Sequence, residues 1–492
     1  MKTSYITRVA MALALTAAFS SCHIYKKYET PTSTALTKAY AEAREMPADS
    51  AAFGNLLWED VFTDPMLASL IKQALVNNND LRNAQLNVDI ARANLRGARL
   101  SYLPSLALSP NGAGASYAGS DLSWTYTLPA QLSWEIDIFG KILNSKRGAQ
   151  AALYRSEAYA QAVRSQIISA VASTYYSIAA VRSQLALSRT TSELWKETVN
   201  TMRDLKEAGR GVTEAAVVQS SANYYSILGS ITDLESSLDK LNNTMSLLLN
   251  TMPQEWAVAD KVDLQVPQLI RAGVPMVELA CRPDVQAAEQ SLAAAYYSTN
   301  SARAAFYPGL TIMANGGFTN LLGSFVSNPG DWFIQLAGQL TAPLFSRGAN
   351  LLGSMVKNPG DWFYQLAGSL VAPLFSRGQN IARLQGAKAQ QQQAMNNFEY
   401  TLLSAAAEVS DALTVYEKSI EKSGLLEKQV ADLEKSVEYT RDLMLYSTGT
   451  TNYLEVLTAQ QGLLQAQIGQ INTELARANA VINLYQALGG GR

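Results

Sequence analysis

The sequence is poor in the residues that carry chemistry. It has one histidine, His23, two cysteines and only 15 prolines in 492 residues. A single imidazole excludes histidine-based triads and two-histidine zinc motifs. The cysteines lack metal-ligand spacing, and no phosphate-cradling glycine loop is present. Carboxylates alone could form an acid–base pair, but nothing singles out two of them, so no catalytic residue, metal ligand or cofactor is assigned. Charge is also sparse: 39 basic against 41 acidic residues leave a net charge of −2. No basic stripe follows a phosphate backbone, which argues against nucleic acid as a partner. No stretch reaches the ~20 uninterrupted apolar residues of a membrane-spanning helix.

What is present begins with a secretory signal. Lys2 and Arg8 precede an apolar run from Val9 to Phe19, and Ser20, Ser21 and Cys22 come next, so the mature chain is expected to leave the cytoplasm. Cys22 after small residues resembles a bacterial lipoprotein cleavage site and is the candidate lipid anchor; the alternative is an ordinary signal with an incidental thiol. Cys281 is expected to stay unpaired, since a bridge to the extreme N-terminus would not staple a core.

Proline is absent from Ala130 to Met252 and again after Pro373, in stretches rich in Ala, Gln, Leu, Ser and Glu. These stretches predict two long helices, Lys141 to about Ala208 and Gln379 to about Tyr446, each roughly 100 Å long at ~1.5 Å per residue. In the second, Leu384, Ala387, Gln391, Ala394, Phe398, Leu402, Ala405, Val409, Leu413, Tyr416 and Ile420 recur at the helical period. Many of these are alanine, which favours close side-by-side packing, although a solvated coiled coil of any purpose shows the same pattern. Glycines stop both rods, at Gly209 and Gly211 in the first half and at Gly449 in the second, with threonines placed to cap the next helix. Each half therefore holds a long helical hairpin.

Ahead of each hairpin the period changes to two. Trp124, Tyr126, Leu128, Ala130, Leu132, Trp134, Ile136 and Ile138 alternate with polar residues and Pro129, predicting a long two-faced strand. Pro129 cannot donate a ladder hydrogen bond and sits awkwardly there. A second alternating run spans Trp332 to Leu344, and shorter partners precede both, around Leu106–Ala118 and Leu310–Phe318.

The halves repeat at an offset of 204, which carries Asp80, Ala84, Ala98, Arg99, Pro104 and Leu106 onto Asp284, Ala288, Ala302, Arg303, Pro308 and Leu310. A younger repeat lies within the second half, where residues 321–350 recur at 351–380 with 24 of 30 positions identical. Either an extra pair of strands exists or one copy is extruded as a loop, and one copy outside the barrel is favoured. The expected organisation is a signal peptide over 1–21, a lipid-anchored segment over 22–57, a first repeat over 58–252, a linker over 253–275 and a second repeat over 276–492.

Four or so amphipathic strands cannot close a barrel in lipid, because an open edge leaves backbone groups unpaired and about eight strands is the observed minimum. Several chains must join, and a shared barrel continued by long rods makes a tube. Five segments resemble a known family, the outer-membrane efflux proteins or TolC-like outer-membrane factors. They are Trp58-Glu59-Asp60-Val61-Phe62-Thr63-Asp64-Pro65, Ser133 to Lys141, Arg282-Pro283-Asp284-Val285, Pro373 to Gly378, and Asn483 to Gly491. The resemblance implies an α+β membrane protein in which long α-helical hairpins form a periplasmic barrel and a transmembrane β-barrel is shared between protomers. It also implies a homotrimer anchored in the outer membrane, working with a periplasmic adaptor (membrane fusion) protein and an inner-membrane pump that supplies the energy, with outer-membrane lipid around it.

The same resemblance implies a periplasmic gate. Aligned on the Gly449 turn, its second-half residues are Tyr446, Thr451 and Glu455, with Glu455 where the family often has an acidic ring facing the lumen. Three such carboxylates around a narrow opening would favour cations. In the first half the matching position is Ala215, with Glu214 beside it. Glu455 as a solvated helix-face charge and Tyr446 as plain packing remain open. As to function, the resemblance implies the exit duct of a tripartite efflux pump. A type I protein-secretion duct is the alternative, and a structural coiled-coil envelope lipoprotein is the rival from another class.

Overall fold

A computed structural model describes residues 25–45, 56–115, 123–259, 276–307, 309–320, 332–341, 367–370, 378–446 and 453–491. Cys22 and the signal region lie outside the described residues. The elements in chain order are α1 (Ala35–Glu45), α2 (Trp58–Val61), α3 (Pro65–Asn77), α4 (Asn79–Leu100), β1 (Ser105–Leu108), β2 (Asn111–Ala115), β3 (Ser123–Ile136), α5 (Lys141–Glu207) and α6 (Glu214–Leu248). They continue with α7 (Met276–Ala280), α8 (Pro283–Ala304), β4 (Gly309–Asn320), β5 (Trp332–Thr341), β6 (Ala367–Leu370), α9 (Gln379–Tyr446) and α10 (Tyr453–Ala487).

The offset of 204 recurs in the elements themselves. α4 and α8 are both 22 residues long, start 204 residues apart, and each has an aspartate in its first turn and an arginine in its last. β1 and β4 also begin 204 apart, whereas α5 and α9, of 67 and 68 residues, begin 238 apart. The step of 34 arises between them, where the 30-residue repeat lies.

Two compact units are present, one of residues 1–30, 87–156 and 287–398, the other of 31–86, 157–286 and 399–492. The first holds the sheet, in the order β1–β3–β4–β5–β6 with β2 also on β3. β3 pairs antiparallel with β4 from Tyr126↔Asn320 to Ile136↔Leu310, so strands from the two halves share one sheet. β1 and β2 lie in a single register against β3, and they part where Ser109 and Pro110 fall opposite Pro129 and Leu128. Two prolines without N–H leave the ladder unclosed at that point, which is how Pro129 is accommodated. The strand expected to reach Ile138 ends at Ile136, because the next residue is drawn to the helix: Asp137 Oδ2 accepts the Leu143 N–H at 2.6 Å. Gly140, at φ 71°, makes the turn from strand to helix, and Gly378, at φ 75°, makes the corresponding turn before α9. In the repeat, four residues of the second copy enter the sheet as β6, parallel to β5. The N-terminal segment is held by Tyr28 N donating to Tyr297 Oη (3.1 Å) and Thr30 Oγ1 to Glu289 (2.7 Å).

The second unit is helical, and three of the segments that carry the family resemblance, Trp58 to Pro65, Arg282 to Val285 and Asn483 to Gly491, are among its joints. Asp64 caps α3 by accepting from Met66 N (2.8 Å), Pro65 takes the first helical position, and the other Asp64 oxygen accepts from Tyr175 Oη at 2.6 Å. Phe62 packs edge-on against Tyr485 with ring centroids 5.8 Å apart. Tyr485 Oη donates to Leu56 O (2.8 Å) and accepts from Gly491 N (2.9 Å), tying the glycine-rich end onto the helices. A Cβ on Gly490 would come within 2.5 Å of the Tyr485 ring, so only glycine fits there.

Candidate functional site at the helix tips

The first tip is built from backbone rules. α5 stops at Glu207, Gly209 adopts φ 68°, and the bonds Arg210 N to Leu205 O (2.9 Å) and Gly209 N to Lys206 O (3.0 Å) close a Schellman cap. Thr213 then caps α6 by accepting from Ala216 N at 3.3 Å. Glu214 is the first residue of α6, favourably placed at the positive end of the helix dipole, and it forms an ion pair with Lys206 across the turn. Sequence reasoning missed Lys206. The available signal was a base in the last turn of one helix facing an acid in the first turn of the next.

At the second tip α9 ends at Tyr446 and α10 begins at Tyr453. Thr451 and the Tyr446 side chain lie outside the described residues. Glu455 is in the first turn of α10 and exposed. Its neighbours Val456 and Leu457 are buried, so the helix turns the carboxylate away from its packed face. Leu457 belongs to a cluster with Trp195 of α5 and Ile227 of α6, flanked by Tyr224, Ile231 and Leu464. Trp195 is 1% exposed. This cluster holds three of the long helices in register behind the tips. Glu214 and Glu455 are thus matched: each is an exposed acid opening the return helix of its hairpin, and Glu214 has a cationic partner. Among the described residues, no ion pair of Glu455 and no group of metal-ligating side chains is seen, and no helix is long and apolar enough to cross a membrane.

The pattern of one protein family, described as "Outer membrane efflux protein", matches residues 70–251, 274–354 and 356–490. The chain belongs to that family. The match breaks at residue 355, inside the second copy of the short repeat. Among curated relatives, the toluene efflux pump outer membrane protein TtgC of Pseudomonas putida is 28% identical over 99% of this chain and 96% of its own length. The probable outer membrane lipoprotein SilC of Salmonella typhimurium is 28% identical over 88% of each, and the cation efflux system protein CusC of Escherichia coli K12 is 26% identical over 98% of each. A crystal structure of CusC superposes with TM-score 0.78 at 24% identity, covering 95% of this chain and all of that one. The open-state outer membrane channel MtrE of Neisseria gonorrhoeae gives TM-score 0.74 at 24% identity, over 95% and 97%. The fold of this outer membrane efflux protein is therefore the TolC-like one: helical hairpins for the periplasm and strands for a β-barrel. It is an efflux channel of the outer membrane, and its family role asks for passage, not for chemistry.

Proposed function

We propose that three copies of this chain assemble into one duct, each giving its strands to a common barrel in the outer membrane and its hairpins to a helical tube in the periplasm. The observation that carries this reading is the open sheet: β1 and β2 stand at one end and β6 at the other, and among the described residues no pairing joins the ends. Leu106 and Leu108 of β1 are 69% and 65% exposed, and Leu132 and Trp134 of β3 are also exposed. An open apolar sheet is tolerated in lipid only when neighbouring chains complete it. In the helical unit, Tyr400, Leu403, Leu425, Tyr439 and Leu443 of α9 are outward and apolar, as expected of faces that another protomer covers.

In this reading Cys22 is the lipid anchor, with SilC, a probable outer membrane lipoprotein, in support. The tips, with Glu214, Tyr446, Thr451 and Glu455, form the gate and meet a periplasmic adaptor and an inner-membrane pump. The pump supplies energy and chooses cargo, so small-molecule efflux and protein secretion use the same duct. Conductance tests the reading against a coiled-coil spacer. Purified full-length protein in a planar bilayer gives discrete channel steps if it is a duct, and none if it only spaces envelope layers.

A further inference from the structure

The young repeat leaves two copies of one strand in one sheet. β6 is the translate of Ala337–Leu340 by thirty residues, and it pairs with those same residues: Ala337 with Ala367, Gly338 with Gly368, Gln339 with Ser369 and Leu340 with Leu370. The pairing is parallel, so both strands point the same way. Adjacent parallel strands do not belong to an up-and-down membrane barrel, in which neighbours run antiparallel.

Either copy suits the place beside β4. Positions 332–341 and 362–371 are identical at 7 of 10 residues. The copies correspond position for position, so exchanging one for the other in the same register puts matching residues on the same faces, whereas a slip of one residue would invert them all. Each copy also carries its own joint to a helix, Phe345-Ser346-Arg347-Gly348 in the first and Phe375-Ser376-Arg377-Gly378 in the second. β5 ends 37 residues before α9 begins, while the matching end of the second copy, position 371, leaves seven. In the first half only four residues separate β3 from α5. The second copy thus restores the short joint, at the cost of a longer loop after β4. Loop-closure entropy grows only slowly with length, so neither arrangement is strongly preferred on that ground.

We propose that the two copies are interchangeable fourth strands. Whichever copy is not paired with β4 is surplus; with the first copy on β4, the surplus strand is β6, and it covers the β5 edge that a neighbouring chain's β1 and β2 must take to close a barrel. The inference rests on the multi-chain barrel reading. It makes barrel assembly a competition between a strand of the same chain and a strand of the next one.

Intrachain cross-linking tests the exchange without depending on assembly. In the full-length chain carrying Cys281→Ser, in outer-membrane preparations, Ile312→Cys is combined with Gly338→Cys, its cross-strand partner, or with Gly368→Cys. Both pairs are expected to give an intrachain disulfide, each in more than about a tenth of the molecules. If one pair captures the chain and the other stays at the single-cysteine background, the exchange is refuted.

Proline variants give a second readout. Leu340→Pro and Leu370→Pro are each expected to keep oligomer yield within about twofold, and together to lower it at least about tenfold. A single variant as damaging as the double, or a double without effect, also overturns the proposal. If the unsubstituted chain is a monomer in mild detergent, the multi-chain reading fails by itself, and the cross-links still decide whether the copies exchange.

Discussion

The Arg282 guanidinium lies 2.7 Å from the Glu408 carboxylate, joining the residue just before α8 to the middle of α9. It also forks onto Asp284 at 2.7 Å and donates to Ala487 O at 2.8 Å, where α10 ends. Burial works against its charge, but hydrogen bonds and attraction from Asp284 and then Glu408 outweigh it and hold its pKa above the usual arginine value. Arg282 is only 6% exposed at the side chain, while Asp284 and Glu408 are half exposed. Truncating the arginine leaves carboxylates that water can still reach, together with a buried carbonyl that it cannot. Arg282→Ala is expected to cost about 2 kcal/mol, and Glu408→Gln less than about 1 kcal/mol. Denaturant unfolding of both variants, followed by helical circular dichroism, checks the order.

Tyr485 gives a dependence on alkaline pH. Burial, opposed by the bond from Gly491 N and helped by Glu59, raises its phenol from the ordinary 10.0 to about 12. The folded state therefore holds this proton more tightly than the unfolded one. Its contribution is complete below pH 10.0 and is lost as pH rises through about 12. Tyr485→Phe is expected to be less stable at neutral pH, having lost its bonds to Leu56 and Gly491, and to decline less steeply than the wild type over that alkaline window. Equal slopes in a stability-against-pH series would contradict this.

The two tip acids should differ in consequence. Glu214 is an exposed partner of an exposed lysine, so Glu214→Gln is expected to change stability by less than about 0.5 kcal/mol. Glu455→Gln is also expected to leave folding intact, yet to reduce cation preference in bilayer recordings if three copies ring the opening. Unchanged reversal potentials under a salt gradient would make Glu455 a solvated surface charge and nothing more.

Much of this architecture was legible in the sequence because it depends on local rules. Proline-free stretches and stopping glycines marked α5 and α9, and the Lys141, Gln379 and Tyr446 boundaries are where those rules place them. Strict alternation marked β3, and its end was misjudged by two residues because Asp137 serves the following helix. What was not legible depends on partners distant in sequence. The Arg282 cluster joins three segments, and the pairing of β3 with β4 joins the two halves. The alliance of β5 with its own copy arises because two nearly identical strands compete for one place, which no local pattern resolves. The proposed gate rests on resemblance alone: Glu214 and Glu455 each lie in the first turn of their helices, while Thr451 falls outside the described residues.

The central claim, that one chain supplies an incomplete wall and several must join, is tested most directly by mass. The protein, extracted from outer membranes in mild detergent, is expected to have a detergent-corrected protein mass near three times that of one mature chain. A mass of one chain, with the helices intact by circular dichroism, would contradict it.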